Sequence, residues 1–531
     1  MSALLDSRVN EKGAGGLEAI AEHEPVTVRV AVIGAGVGGL SAAVLLAARG
    51  LDVTVLERAP APGGKMRTVR TGGAAIDAGP TVFTMRWVFD GILGEAGTSL
   101  DAHVTLRPAE ILARHAWSAD ERLDLFADTE RTADAIGALA GAAEARGYYA
   151  FCERARAIYE TLRDPFIRAA RPTAMSLAFA TGLSAMNRIA PFETMWSVLG
   201  TYFRDARLRQ LFGRYATYCG SSPFAAPATL MLVAHVERDG VWMVDGGMHR
   251  IAAMLADVAQ GRGATFRYGA EVAEIVAERG RVAGVRLASG ERIAADAVIA
   301  NADVAALATG RFGEAAKRAT SDGQLPRSLS ALTWAMRAPC HGFPLVRHNV
   351  FFSADYPAEF DTIFRDQRLP SSPTVYVCAQ DRDDSAVADG TERLLVLVNA
   401  PPVGDSRKFD EAEIAACETA TFGLLNRCGL TVERRPEATV LTGPAEFERL
   451  FPATGGALYG AATHGAMASF RRPTARTRLT GLYLAGGSVH PGAGVPMAAL
   501  SGRQAANCVT ADLTSLSRSG RTAMRGGTSM R

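Results

Sequence analysis

Val28-Arg29-Val30-Ala31-Val32-Ile33-Gly34-Ala35-Gly36-Val37-Gly38-Gly39-Leu40-Ser41 is an apolar run that breaks into glycines at the G-x-G-x-x-G spacing, Gly34, Gly36 and Gly39. An Ala/Leu-rich segment runs from Ser41 to Arg49, and Val53-Thr54-Val55-Leu56-Glu57-Arg58 then alternates as a strand does. The pattern predicts strand, tight turn, helix and strand. Gly34 lets the chain turn, Gly36 and its neighbour Gly38 let backbone approach a pyrophosphate, and Gly39 lets helix and strand pack closely. N–H groups at the helix start face the phosphates, and Glu57 is placed to accept hydrogen bonds from ribose hydroxyls. Val30 to Ala48 is uncharged and long enough to span a bilayer. Its crowded glycines, and the Gly50-Leu51-Asp52 turn straight after it, favour the dinucleotide site instead.

Two further glycine-rich stretches extend this reading. Arg58-Ala59-Pro60-Ala61-Pro62-Gly63-Gly64-Lys65-Met66-Arg67 is a Pro/Gly loop where a plain NAD-binding unit would start another helix. Gly63 and Gly64 permit close approach, and Arg58, Lys65 or Arg67 offers charge to the pyrophosphate. Asp77-Ala78-Gly79-Pro80-Thr81 then ends a strand in a turn that brings Pro80 and Thr81 to the same place; together these loops favour FAD over NAD. At the far end, Leu482-Tyr483-Leu484-Ala485-Gly486-Gly487-Ser488-Val489-His490-Pro491-Gly492-Ala493-Gly494-Val495-Pro496-Met497 is a strand, a glycine loop and a helix start, with Pro496 suited to the first turn. Gly486, Gly487, Gly494 and Val495 at that positive helix end would hold the negative charge of a reduced flavin. His490 is the candidate catalytic residue beside the ring, taking a proton or shaping the loop.

Between these ends, Met85 to Arg238 reads as helical. Within it, Met175 to Ile189 carries no charge until Arg188 and suits either a surface-lying membrane segment or a lid helix over substrate. Asn349-Val350-Phe351-Phe352, Thr374-Val375-Tyr376-Val377 and Leu394-Leu395-Val396-Leu397-Val398 read as strands of a second sheet. A net charge of +2 gives no general attraction to nucleic acid, and neither the seven cysteines nor the nine histidines fall at metal-ligand spacings, so no metal is expected. The scattered cysteines read as reduced thiols of a cytoplasmic protein. Met1 to Pro25 lacks the basic start and apolar block of a signal peptide and reads as a frayed leader.

With these residues in hand, the chain resembles the bacterial phytoene desaturase family of FAD-dependent carotenoid dehydrogenases, itself related to amine oxidases. The likeness runs from about Val28 to Thr510 through the first glycine turn, Glu57 with Gly63-Gly64-Lys65, Asp77 to Thr81, Gly240-Val241-Trp242 with Gly246-Gly247-Met248, Ala297 to Asp303, and Leu482 through Gly494. His348-Asn349-Val350-Phe351-Phe352-Ser353-Ala354-Asp355-Tyr356 and Gly487-Ser488-Val489-His490 are most similar to the hydroxyneurosporene (methoxyneurosporene) desaturase branch, which introduces the carotenoid 3,4 double bond. The resemblance implies an α/β fold: a discontinuous Rossmann-like FAD domain (26–84, 241–327 and 401–513), an inserted helical membrane or substrate domain (85–240) and a mixed-sheet substrate domain (328–400); beyond it, the Ser/Arg/Gly-rich stretch 514–531 reads as a disordered basic tail. The resemblance also implies Val272 near the adenine, a linear carotenoid substrate and peripheral attachment to the inner membrane, and leaves the terminal electron acceptor unspecified. The alternatives are a phytoene desaturase of the same family, an amine oxidase on the same fold, and a flavoprotein that binds carotenoid without reacting.

Overall fold

The computed structural model describes residues 28–182, 189–321, 325–382 and 390–524, with side chains as far as 515. The expected leader, 1–25, lies outside the described residues, as do 183–188 of the uncharged segment and 525–531 of the tail. The opening run forms the strand Arg29–Ile33, centre of a five-stranded parallel sheet ordered Leu482–Leu484, Ala297–Ala300, Arg29–Ile33, Asp52–Glu57, Thr265–Tyr268. A central parallel strand must be covered on both faces, and its alternating side chains divide accordingly. Val30 and Val32 enter a core built with the helices, whereas Ala31 and Ile33 enter one shared with the antiparallel strands Val272–Glu278 and Arg281–Leu287.

The helix Val37–Ala48 packs between the helix His249–Gly261 and the closing helix Val495–Met524, which explains why it has no polar face. Gly502 faces Gly38 so closely that any β-carbon there would collide with the Gly38 carbonyl. The uncharged segment Val30 to Ala48 is therefore strand and buried helix; among the described residues no helix is long and apolar enough to cross a membrane.

The second sheet has eight strands. Ser330–His341, Thr391–Ala400, Val375–Ala379 and His348–Phe351 follow one another antiparallel, then come Ile111–Ala116 and Arg122–Phe126, while Thr431–Val432 and Thr439–Thr442 pair on the other side of Ser330–His341. Two expected boundaries change here. The span 85–240 is not purely helical, because Ile111–Ala116 and Arg122–Phe126 form a hairpin, its turn closed by the Ser118 hydroxyl accepting from Asp120 and Glu121 N–H, that extends this sheet. The span 401–513 does not simply return to the cofactor unit, since Thr431–Val432, Thr439–Thr442 and the helix Glu411–Arg427 build onto the second sheet before Leu482–Leu484 completes the first. The tail differs too: with no proline to stop it, the closing helix continues to Met524.

The helical layer lies on the other face of the second sheet and is tied to it by a buried polar cluster. Arg214 donates to His115 Nε2 at 3.0 Å and pairs with Glu237 at 3.4 Å, while Tyr218 donates to Glu237 at 2.7 Å and Tyr215 also reaches that carboxylate. Burial and the adjacent guanidinium hold the His115 imidazole well below its ordinary pKa.

Candidate functional site

The two sheets and the loops between them enclose one cavity of about 620 Å³. Its first wall is the glycine turn. Gly34 N–H donates to Leu56 O at 2.8 Å, and Asn301 reaches across from the end of Ala297–Ala300 to donate through Nδ2 to Gly34 O at 3.2 Å. Gly36 has no side-chain cap to offer the helix it opens, and a β-carbon there would lie 2.8 Å from Asn301 Nδ2. The uncapped N–H groups of the first turn thus face open space lined by Gly34, Gly36 and Gly38. Gly39 plays a different part: it does not line the cavity, and its missing β-carbon makes room for the Gly34 carbonyl.

Glu57 is buried at the tip of its strand. Ala35 N–H donates to Oε2 at 2.7 Å and Ala59 N–H to Oε1 at 2.8 Å, which fixes the carboxylate and leaves a lone pair on each oxygen toward the cavity. Gly63 docks beside the turn through its N–H to Ala35 O at 2.8 Å, so Gly63, Gly64, Lys65 and Arg58 complete this wall. Lys65 Nζ donates to Leu458 O at 2.6 Å over the Phe451 ring, and burial lowers its pKa. Arg58 reaches the Leu450 carbonyl. Val272 lines the cavity close to Glu57, whose carbonyl accepts from Ala270 N–H at 2.9 Å, and Gly486, Gly487, Gly494 and Val495 close the cavity opposite the first helix, with Gly486 N–H held by Ser501 Oγ at 2.7 Å.

Besides Gly39, three expected residues stand off the cavity lining. Pro496 is buried in the first turn of the closing helix, where it sets the helix direction. Pro80 does line the cavity, but the next residue, Thr81, turns to Tyr376 on the second sheet, 2.7 Å between oxygens. His490 is 1 % exposed, stacks edge-on against Phe166 and donates through Nε2 to Ala169 O at 3.0 Å. It pins the helical insertion to the closing loop, and burial pushes its pKa down to about 4, so it is neutral near pH 7. Asn301 and Ser501 were not singled out as site residues from the sequence. The signal for Asn301 was the polar end of an otherwise buried strand; nothing local marks a serine inside an Ala-rich helix.

Asp77 explains why two distant motifs occur together. Its Oδ2 accepts from Met248 N–H at 2.6 Å at the start of the helix His249–Gly261, and a β-carbon on Gly247 would strike that carboxylate. Gln380, from the second sheet, bonds both the N–H and the carbonyl of Asp77 at 3.0 and 2.8 Å. The turn carrying Pro80 is thereby clamped between the two sheets. Among the described residues no group of three or more His, Cys, Asp or Glu is gathered to hold a metal.

An elongated cavity with a helix N-terminus at each side, a fixed carboxylate at one end and an apolar sheet beyond it fits a flavin dinucleotide. That arrangement defines a two-domain flavin oxidoreductase. The chain belongs to the flavin-containing amine oxidoreductase family, whose model matches residues 37–510. It is 56% identical over 515 residues to a hydroxyneurosporene desaturase of Rubrivivax gelatinosus, covering 96% of this chain and 98% of that protein. It is 47% identical to a hydroxyneurosporene desaturase of Cereibacter sphaeroides, covering 93% and 99%. A putrescine oxidase solved with putrescine bound shares the fold, with a TM-score of 0.58 at 17% identity over 92% of this chain and 99% of that one. The protein is an FAD-dependent oxidoreductase.

Proposed function

We propose that this enzyme introduces the 3,4 double bond into linear carotenoids bearing an oxygen at C1, of the hydroxyneurosporene type, while resting on the cytoplasmic face of the inner membrane. The observation that carries the reading is the continuity of the cavity with the second sheet: Thr333, Leu395 and Leu397 form its floor beside Pro80. A flat apolar floor suits a long polyene, and the likeness to two desaturases over nearly their whole lengths supports the same chemistry. Bound flavin supplies a two-electron acceptor for the hydride equivalent taken from the CH–CH pair, the other hydrogen leaving as a proton. The chain's own contribution is alignment and dryness. Asp77 and Gln380 fix the turn that carries Pro80 to the cavity wall, and the sheet floor would keep water from a bound polyene.

Attachment to lipid is supported by Met175, Phe179 and Phe192, which are 70%, 84% and 85% exposed, with exposed Arg168 and Arg171 close in sequence. The test is expression of this chain as the sole desaturase with a 1-hydroxy linear carotene and, separately, with a primary amine. A product whose absorption bands lie at longer wavelength by one conjugated bond is expected. Peroxide from the amine with the carotene unchanged would overturn the reading.

A further inference from the structure

Tyr376 occupies a position that the reaction so far described does not use. It stands opposite Leu397 in the sheet register, and Leu397 stands opposite Thr333; both of those residues line the cofactor cavity. Residues directly opposite one another on neighbouring strands share a face, so the Tyr376 phenol lies on the same floor as the cavity, one strand further out. On the next strand Val350 and His348 continue that face, Val350 opposite Tyr376 and His348 opposite Cys378, which itself stands opposite Leu395. The Thr333 hydroxyl on this floor donates to Thr442 O at 3.3 Å, whereas the Tyr376 phenol joins a polar trio: its OH lies 2.7 Å from Thr81 Oγ1 and 2.7 Å from His348 Nδ1. Tyr376 is only partly buried, packed between the core of the helical layer and the small core that includes Ile76, Ala78 and Leu395.

The proposed reaction brings an oxygen to this place. In a 1-hydroxy carotenoid the oxygen is three bonds from C3 and four from C4, so it lies within about 5 Å of the carbons that lose hydrogen. In the proposed reaction those carbons would lie in the part of the cavity lined by Pro80 and Leu397. The oxygen then falls where the floor changes from leucine to tyrosine. We propose that Tyr376, braced by Thr81 and His348, receives the C1 oxygen of the substrate and so selects oxygenated carotenoid ends, a specificity role that rests on the desaturase reading above. The trio accommodates either sense of hydrogen bond. When His348 carries its proton on Nδ1 it donates to the phenol oxygen and frees the phenol proton for an ether or hydroxyl acceptor. In the other tautomer the phenol donates to His348 and its oxygen accepts from a substrate hydroxyl. Burial keeps the imidazole neutral, with its pKa pushed down to about 3, and holds the phenol pKa well above its ordinary value, so no charge is created by the exchange.

The experiment compares wild-type holoenzyme with Tyr376→Phe, using the desaturated 1-hydroxy polyene and its counterpart with hydrogen in place of the hydroxyl, each titrated against protein fluorescence. These products cannot be desaturated again at C3–C4, so binding is read without turnover; kcat/KM is measured in parallel on the two saturated precursors. The wild type is expected to prefer the hydroxylated ligand by about tenfold to a hundredfold, and Tyr376→Phe to erase about tenfold of that preference with flavin content and affinity for the deoxy ligand unchanged. Thr81→Val and His348→Asn, each removing one brace, carry the same comparison should Tyr376→Phe lose its flavin, with a smaller erosion expected. Equal wild-type affinity for both ligands, or a preference that survives in all three variants, would overturn the proposal. Turnover of both precursors with equal efficiency would remove this role and leave the desaturase reading intact. Turnover of neither would remove the desaturase reading itself.

Discussion

Glu57 and His490 show how differently two conspicuous residues can turn out. Glu57 was legible because everything that defines it is local: a strand brings it to the sheet edge, and its two backbone donors, Ala35 and Ala59, come from the adjoining turns. His490 was expected beside the flavin because it follows the Gly486-Gly487 loop. Its actual partner is the Ala169 carbonyl, 321 residues away in sequence, and no local pattern announces that. The consequence is a pH effect of definite sign. Burial, partly opposed by the Ala169 and Phe166 carbonyls, holds the imidazole at about 4 in the folded protein against 6.5 ordinarily. The unfolded chain therefore gains a proton that the folded chain refuses as pH falls from 6.5 toward 4. Stability present above pH 6.5 is lost across that window, by about 3 kcal/mol from this group, with no further loss below it. His490→Asn is expected to flatten the fall in Tm between those pH values relative to wild type while flavin reduction by substrate persists; an unchanged slope would contradict this account of the residue.

At the scale of elements, the sequence made plain those units whose hydrophobic period is long and uninterrupted. The opening strand and helix, and the second-sheet strands His348–Phe351, Val375–Ala379 and Thr391–Ala400, fall close to where the pattern puts them. The hairpin Ile111–Phe126 was hidden because its two strands are short, carry Arg114, His115 and Asp124, and are set among helices. Arg114 and Asp124 pair across the hairpin at 2.7 Å, and His115 turns inward to Arg214, so the charges that obscured the strand belong to its packing. The buried pair Arg214 and Glu237 gives this junction its own prediction. Removing one partner leaves the other charge stranded in the core. Glu237→Gln should cost about 3 kcal/mol, seen as a lower Tm of the holoenzyme, whereas the double change Arg214→Met with Glu237→Leu should cost less than the single one. A single variant as stable as wild type would show that the cluster does not tie the helical layer to the sheet.

Across the whole molecule, the cofactor site is an agreement between segments far apart in the chain. Asn301 holds the opening turn, Ser501 holds Gly486, and Gln380 clamps Asp77, so the second sheet is coupled to the dinucleotide unit through the cavity wall itself. The two-sheet plan was legible from the order of the glycine motifs, and the resemblance they carry named the substrate class. The extent of the second sheet was not, because its strands come from three separate stretches whose pairing depends on contacts that composition and period do not encode. That coupling brings the apolar sheet floor to the edge of the candidate flavin site, where the proposed chemistry is transfer of hydride from carotenoid to flavin. The most direct test mixes the oxidised holoenzyme anaerobically with one equivalent of a 1-hydroxy linear carotene. The flavin absorbance should bleach in step with the lengthening of the polyene chromophore, one product formed per flavin reduced. Carotene bound to the protein beside a flavin that stays fully oxidised would contradict it.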